Sequence, residues 1–148
     1  MTLHLAAADL EAMRRQAEAA YPHETCGLLG GVWIDGGAKR VERLIPVPNA
    51  RTDSARNRYL IEPDDVRRAA AELERAGLEV IGVYHSHPDH PARPSEFDRE
   101  HAWPRLSYVI VQVRGGRAGE ASSWVLADDR SAFHRESLET EEQTLSWQ

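Results

Sequence analysis

The stretch HSHPDHPARPSEFD, residues 85–98, holds three histidines, two aspartates and two serines in fourteen positions. It continues LEVIGVY (78–84), an apolar run that reads as the body of a buried strand. Side chains alternate across a strand, so His85 and His87 point to one side and can reach a single metal ion. Neutral imidazole nitrogen is a good zinc ligand, and a carboxylate is a common third partner. Asp89, His90 and Asp98 are the candidates for that third position. Against this stands a plainer reading. His-x-His on a strand is common, and Ser95-x-x-Asp98 is also the spacing of a helix capping box. Asp89 and His90, set between Pro88 and Pro91, read as a solvated turn.

Outward from this stretch, the chain alternates strand and helix. LHL (3–5) suits a short strand. Leu10, Met13, Ala17 and Tyr21 then share one helical face, and Pro22 marks its stop. CGLLGGVWI (26–34) reads as a buried strand, Gly36-Gly37 as a hairpin turn, and AKRVERLIPV (38–47) as the return strand. PNARTDSARNR (48–58) is polar and aperiodic, a loop. In YLIEPDDVRRAAAELERAG (59–77), Pro63 suits the first helical turn, Asp64 and Asp65 its positive end, and Gly77 its exit. Val66, Ala69, Ala70 and Leu73 form the apolar stripe. A short helix is expected from Ser95 to about Ala102, then strands at LSYVIVQV (106–113) and ASSWVLA (121–127). From about Asp128 the chain is polar and reads as a mobile or weakly helical tail.

Bulk properties narrow the function. The chain has 148 residues, 41% hydrophobic and 28% charged, which fits one globular domain. A net charge of -6 argues against nucleic acid as a partner. No apolar run approaches the roughly 20 residues needed to span a bilayer. The N-terminus lacks a basic region ahead of an apolar core, so no secretory signal is expected. Cys26 is the single cysteine, which excludes an internal disulfide and fits a reducing cytoplasm. A cysteine entering an apolar strand is usually a buried small residue rather than a nucleophile.

Three metal signatures compete for the opening stretch. HSHPDH matches the H-x-H-x-D-H pattern of the metallo-β-lactamase fold at His85, His87, Asp89 and His90. That fold needs a larger, duplicated sandwich with more ligands downstream. The 58 residues after His90 carry only His101 and His134 as histidines. Zinc nucleoside deaminases need a later P-C-x-x-C, which one cysteine rules out. The third pattern runs the full length: His85-Ser86-His87-Pro88, seven residues from Pro88 to Pro94, then Ser95-x-x-Asp98. It resembles the metal motif of the JAMM/MPN+ metallopeptidases. YPHETCGLLGG (21–31) is similar to that family's upstream segment, a glutamate just before a Cys-Gly-Leu strand. IEP (61–63) before a helix, and VIGVYHSHP (80–88) after it, fall in the family's order. The resemblance covers roughly residues 3 to 127 and lacks the long insertions of eukaryotic deubiquitinating members, so it is to the short prokaryotic forms.

The resemblance carries a set of expectations. The fold would be α/β, a cytidine-deaminase-like three-layer sandwich with a mixed sheet and helices on both faces. The domain would span residues 1–128, with 129–148 as the polar tail. His85, His87 and Asp98 would bind one zinc ion, with water in the fourth position. Glu24 would be the general base, and Ser95 would donate its hydroxyl to the oxyanion. The activity implied is hydrolysis of an amide or isopeptide bond after the C-terminal Gly-Gly of a ubiquitin-like or sulfur-carrier protein. A non-catalytic MPN-type scaffold is the alternative. Such modules typically lose metal ligands, whereas this chain keeps all of them.

Overall fold

A computed structural model of the chain describes residues 1–50 and 59–142. Most of the loop expected at 48–58 and the end of the expected tail therefore lie outside the described residues. The elements run β1 (Thr2–Ala6), α1 (Ala7–Ala20), β2 (Cys26–Ile34), β3 (Ala38–Val47), α2 (Pro63–Arg75), β4 (Glu79–Pro88), α3 (Glu96–His101), β5 (Ser107–Arg114), β6 (Arg117–Leu126) and β7 (Phe133–Glu141).

The strands do not form the expected three-layer sandwich. They close into one mixed barrel in the order β1-β3-β2-β4-β5-β6-β7, with β7 returning to β1. The β1–β3, β4–β5 and β1–β7 pairs are parallel, and the rest are antiparallel. The cause of the difference is β7, which lies in the segment read as a polar tail. FHRESLETE looks like solvated chain because most of its side chains are exposed. Yet it pairs with β1 from Thr2↔Ser137 to Ala6↔Glu141 and with β6 from Ser123↔Glu136 to Leu126↔Phe133. Backbone pairing on both sides recruits it, with only Phe133 and Leu138 packing against the core, and the sheet then has no edge left at β1.

Local chemistry explains the other elements. Gly36 and Gly37 both have positive φ, +85° and +81°, and turn the β2–β3 hairpin. Leu10, Met13 and Ala17 are the buried stripe of α1, and they join Leu3, Leu29, Ile81 and Val111 in one core cluster. A second cluster places Ala69 of α2 with Leu28, Val83 and Tyr108. Helix α2 lies close to β2 because residue 30 has no side chain; a Cβ there would stand 2.3 Å from Leu73 Cδ2. The chain's single lysine, Lys39, is buried. Its Nζ donates to Arg105 O at 2.8 Å and lies 4.8 Å from the centre of the Trp33 ring. No helix among the described residues is long and apolar enough to cross a membrane.

Candidate metal centre

The centre is built by the β2–β4 register. The strands run antiparallel with Cys26 opposite His85. One step before Cys26, Thr25 N donates to Ser86 Oγ at 2.8 Å and Ser86 N to Thr25 O at 3.1 Å. Glu24 is thereby drawn beside the two histidines, although 61 positions separate it from His85. Asn49 holds the same backbone: its Nδ2 donates to Glu24 O at 3.1 Å, while its Oδ1 accepts from Leu60 N at 3.0 Å. The Tyr59 ring stacks on His85 with centroids 4.4 Å apart.

Helix α3 brings in the second carboxylate. Ser95 caps it in a reciprocal box, with Asp98 N donating to Ser95 Oγ at 3.0 Å and Ser95 N to Asp98 Oδ2 at 2.9 Å. The capping-box reading of Ser95-x-x-Asp98 therefore holds, and it does not compete with a ligand role. The same Asp98 Oδ2 lies 3.1 Å from His87 Nε2 and 4.0 Å from His85 Nε2. Glu24 Oε1 lies 3.6 Å from His85 Nδ1. Glu24, His85, His87 and Asp98 are only 1% to 7% exposed.

Burial on that scale normally comes with full hydrogen bonding. Here Glu24 Oε1 and both ring nitrogens of His85 are buried without a hydrogen-bond partner among the described residues. His87 Nδ1 faces Pro91 O at 2.8 Å; if the ring carries its proton there, it donates to that carbonyl and turns the Nε2 lone pair inward. Glu24, His85 and His87 each offer an atom within 4.8 Å of the others, a cluster that can hold a metal ion. Two imidazoles and a carboxylate, with the His85 ring and Glu24 Oε1 orphaned and the His87 ring oriented by Pro91 O, match the donor preference of zinc.

The charges are coupled. Burial alone would raise the Asp98 pKa, but the neighbouring His85 and His87 and the Ser95 backbone hold it far below the usual carboxylate range. Burial pulls His87 down, yet its hydrogen bond to Asp98 and the charge of that group outweigh this and raise it. Cys26 is pushed up to about 12 by burial, with Glu24 and Asp65 adding to the effect. A thiol so held is no nucleophile at neutral pH.

Two cavities adjoin the cluster. A cleft of about 350 Å³ is lined by Glu24, His87, His90, Pro91, Arg93 and Ser95. An apolar one of about 210 Å³ includes Leu28, Tyr59, Val83, Phe97, Asp98 and Trp103, the last 69% exposed. His101 stacks on Phe97 and is exposed.

All five residues singled out in the sequence thus gather here, with Ser95 at the rim. Three contributors escaped the sequence reading: Asn49, Tyr59 and Ser86. Asp89, read as part of a solvated turn, is instead a structural anchor. Its Oδ2 accepts from Tyr21 Oη at 2.6 Å and its Oδ1 from Gly115 N at 2.8 Å. Asp89 takes a positive φ of 58°, a region aspartate tolerates better than most residues.

A mixed barrel carrying a buried Glu-His-His cluster beside an open cleft defines a candidate metalloprotein. The particular family follows from comparison. The chain belongs to the prokaryotic homologs of the JAB domain, whose family model matches residues 6–127. The resemblance drawn from the HSHP…S-x-x-D motif is therefore borne out. Relatives include a probable TtuB-protein conjugate cleaving protease of Thermus thermophilus, 43% identical over 60% of this chain. The match spans 59% of that relative's length. A CysO-cysteine peptidase of Mycobacterium tuberculosis is 32% identical over 82% of this chain and 81% of its own. Among solved structures, a protein from Salinibacter ruber is 44% identical, covers 93% of this chain and 91% of its own, and superposes with a TM-score of 0.73.

Proposed function

We propose that this protein is a zinc-dependent metallopeptidase. It hydrolyses an amide or isopeptide bond after the C-terminal Gly-Gly of a ubiquitin-like or sulfur-carrier protein. The observation that carries this reading is the set of orphaned buried atoms on Glu24 and His85, facing two further ligand-type side chains beside an open cleft. The relatives named as a conjugate-cleaving protease and a CysO-cysteine peptidase support it.

His85, His87 and Asp98 are the proposed ligands. Supporting Asp98 over Glu24 is the convergence of both Nε2 atoms on Asp98 Oδ2, whereas Glu24 approaches the other nitrogen of His85. Bound zinc would supply Lewis acidity at the scissile carbonyl and acidify water towards neutral pH. The Glu24 carboxylate takes the proton of the attacking water and returns it to the leaving amine. Ser95 Oγ accepts from Asp98 N, so its own hydroxyl hydrogen remains available for the carbonyl oxygen as that atom gains charge. A Gly-Gly tail has no side chains and can approach so confined a centre in extended form. The buried, unpaired Cys26 supports a reducing cytoplasm as the setting.

The test is a β-grasp carrier fused through its Gly-Gly end to a reporter protein. Zinc-loaded protein should release the reporter, chelator should stop release, and added zinc should restore it. Failure of the loaded protein to cut any such fusion would overturn the reading.

A further inference from the structure

We infer that Arg93 is the specificity residue for the leaving group, receiving the α-carboxylate of an amino acid joined to the carrier through its α-amino group. The inference rests on the peptidase reading of the same centre.

The two cavities are lined differently. Asp98 borders the one that includes Tyr59 and Trp103, while Glu24, His87 and Ser95 border the other with Arg93. A base that hands its proton to the departing amine must lie within hydrogen-bond reach of that nitrogen. The cleft lined by Glu24 is therefore the one that takes the leaving group. Its permanent cation is Arg93, which is exposed and pairs with no carboxylate among the described residues. A cationic rim over the reactive centre, in a chain of net charge -6, selects for an anion.

The arginine is also held in position. Arg93 N donates to Pro91 O at 2.8 Å, and that carbonyl faces His87 Nδ1. Ala92 O accepts from Ser122 Oγ and from Trp124 Nε1. Pro94 follows and restricts the Arg93 backbone to extended conformations. The guanidinium thus springs from a point fixed relative to the histidine, as a binding group needs.

The chemistry of the anion follows from position. In an amino acid coupled through its α-nitrogen, the carboxylate is separated from that nitrogen by the α-carbon alone. A lysine ε-amine brings no charge so near. A guanidinium fork matches a carboxylate with two parallel hydrogen bonds.

The experiment compares two substrates: a Gly-Gly-ending carrier extended by one alanine, as the free acid and as the C-terminal carboxamide. The native protein should cleave the acid with kcat/KM at least about tenfold higher, mainly through KM, from the charge-assisted pair. In R93Q the acid-to-amide ratio should fall to about one, and R93K should recover part of it. Equal cleavage of acid and amide by the native protein would overturn the inference while leaving the peptidase reading intact. A preference that survives R93Q, or an equal loss on both substrates, would overturn it too. Cleavage of neither substrate would sink the peptidase reading and this inference together.

Discussion

The Tyr21 hydroxyl donates to Asp89 Oδ2 at 2.6 Å, joining the segment that leads into Glu24 to the loop that follows His87. Gly115 N donates to the other oxygen, so the β5–β6 turn is drawn in as well. Glu24, the proposed base, and His87, a proposed ligand, are thus fixed to each other from behind as well as through the β2–β4 register. Tyr21→Phe should lower stability by about 0.5–1.5 kcal/mol, the net worth of one hydrogen bond. It should lower kcat and leave metal content unchanged. Loss of metal in this variant, read by elemental analysis, would mean that the loop supports the ligands themselves.

Glu24 and Asp98 should separate cleanly. Glu24→Gln should retain about one zinc per chain, and its turnover should fall by roughly 10²–10⁴-fold, the usual worth of a general base. Asp98→Asn should fail to hold metal. Were the reverse seen, Glu24 would be the ligand and the assignment would have to be exchanged.

Ser95→Ala tests two uses of one oxygen. Losing the cap should cost about 1 kcal/mol of stability, seen by thermal denaturation. Losing the donor should lower kcat by roughly 10²–10³-fold with KM little changed. A variant with the stability loss alone would reduce Ser95 to a helix cap.

Metal affinity should depend on pH. In the metal-free protein Asp98 raises the His87 pKa above its ordinary 6.5, which favours protonated imidazole. The pair's stabilising effect is then full below 6.5 and fades as pH rises through the raised value. Metal needs the neutral ring, so binding must expel that proton. Calorimetry in buffers of different ionisation enthalpy should register proton release, and affinity should fall as pH drops from 8 to 6. An affinity flat over that range would contradict the coupling.

The rival H-x-H-x-D-H assignment gives an opposite pattern. His90 is exposed and Asp89 is engaged by Tyr21 and Gly115, so His90→Ala should keep its zinc. An emptied site in that variant would revive the rival.

What the sequence disclosed depended on whether the deciding contact was local. The β2–β3 hairpin was legible because Gly36-Gly37 and two apolar runs are adjacent. Helix α2 was legible from Pro63, Gly77 and the stripe ending at Leu73, although Ala70 of that stripe is exposed. The His85/His87 pair was legible from strand alternation alone. Glu24 was reachable only through family resemblance, since no spacing rule foretells the Cys26↔His85 register. Asn49 reaches Glu24 across 25 positions and Tyr59 stacks on His85 from a distant segment, and neither left a local mark. β7 was misread because most of its worth lies in its backbone: its one buried residue, Glu136, is a carboxylic acid whose Oε1 accepts from Ser123 Oγ at 2.6 Å.

That strand governs how the protein can be trimmed. Ending the chain at residue 127, where the family match stops, would remove β7 entirely, leaving β1 paired only with β3 and β6 only with β5. Two raw strand edges would then face solvent, each a template for pairing with another chain. Such a shortened protein would still contain Glu24, His85, His87 and Asp98, and would be expected to aggregate before its chemistry could be assayed.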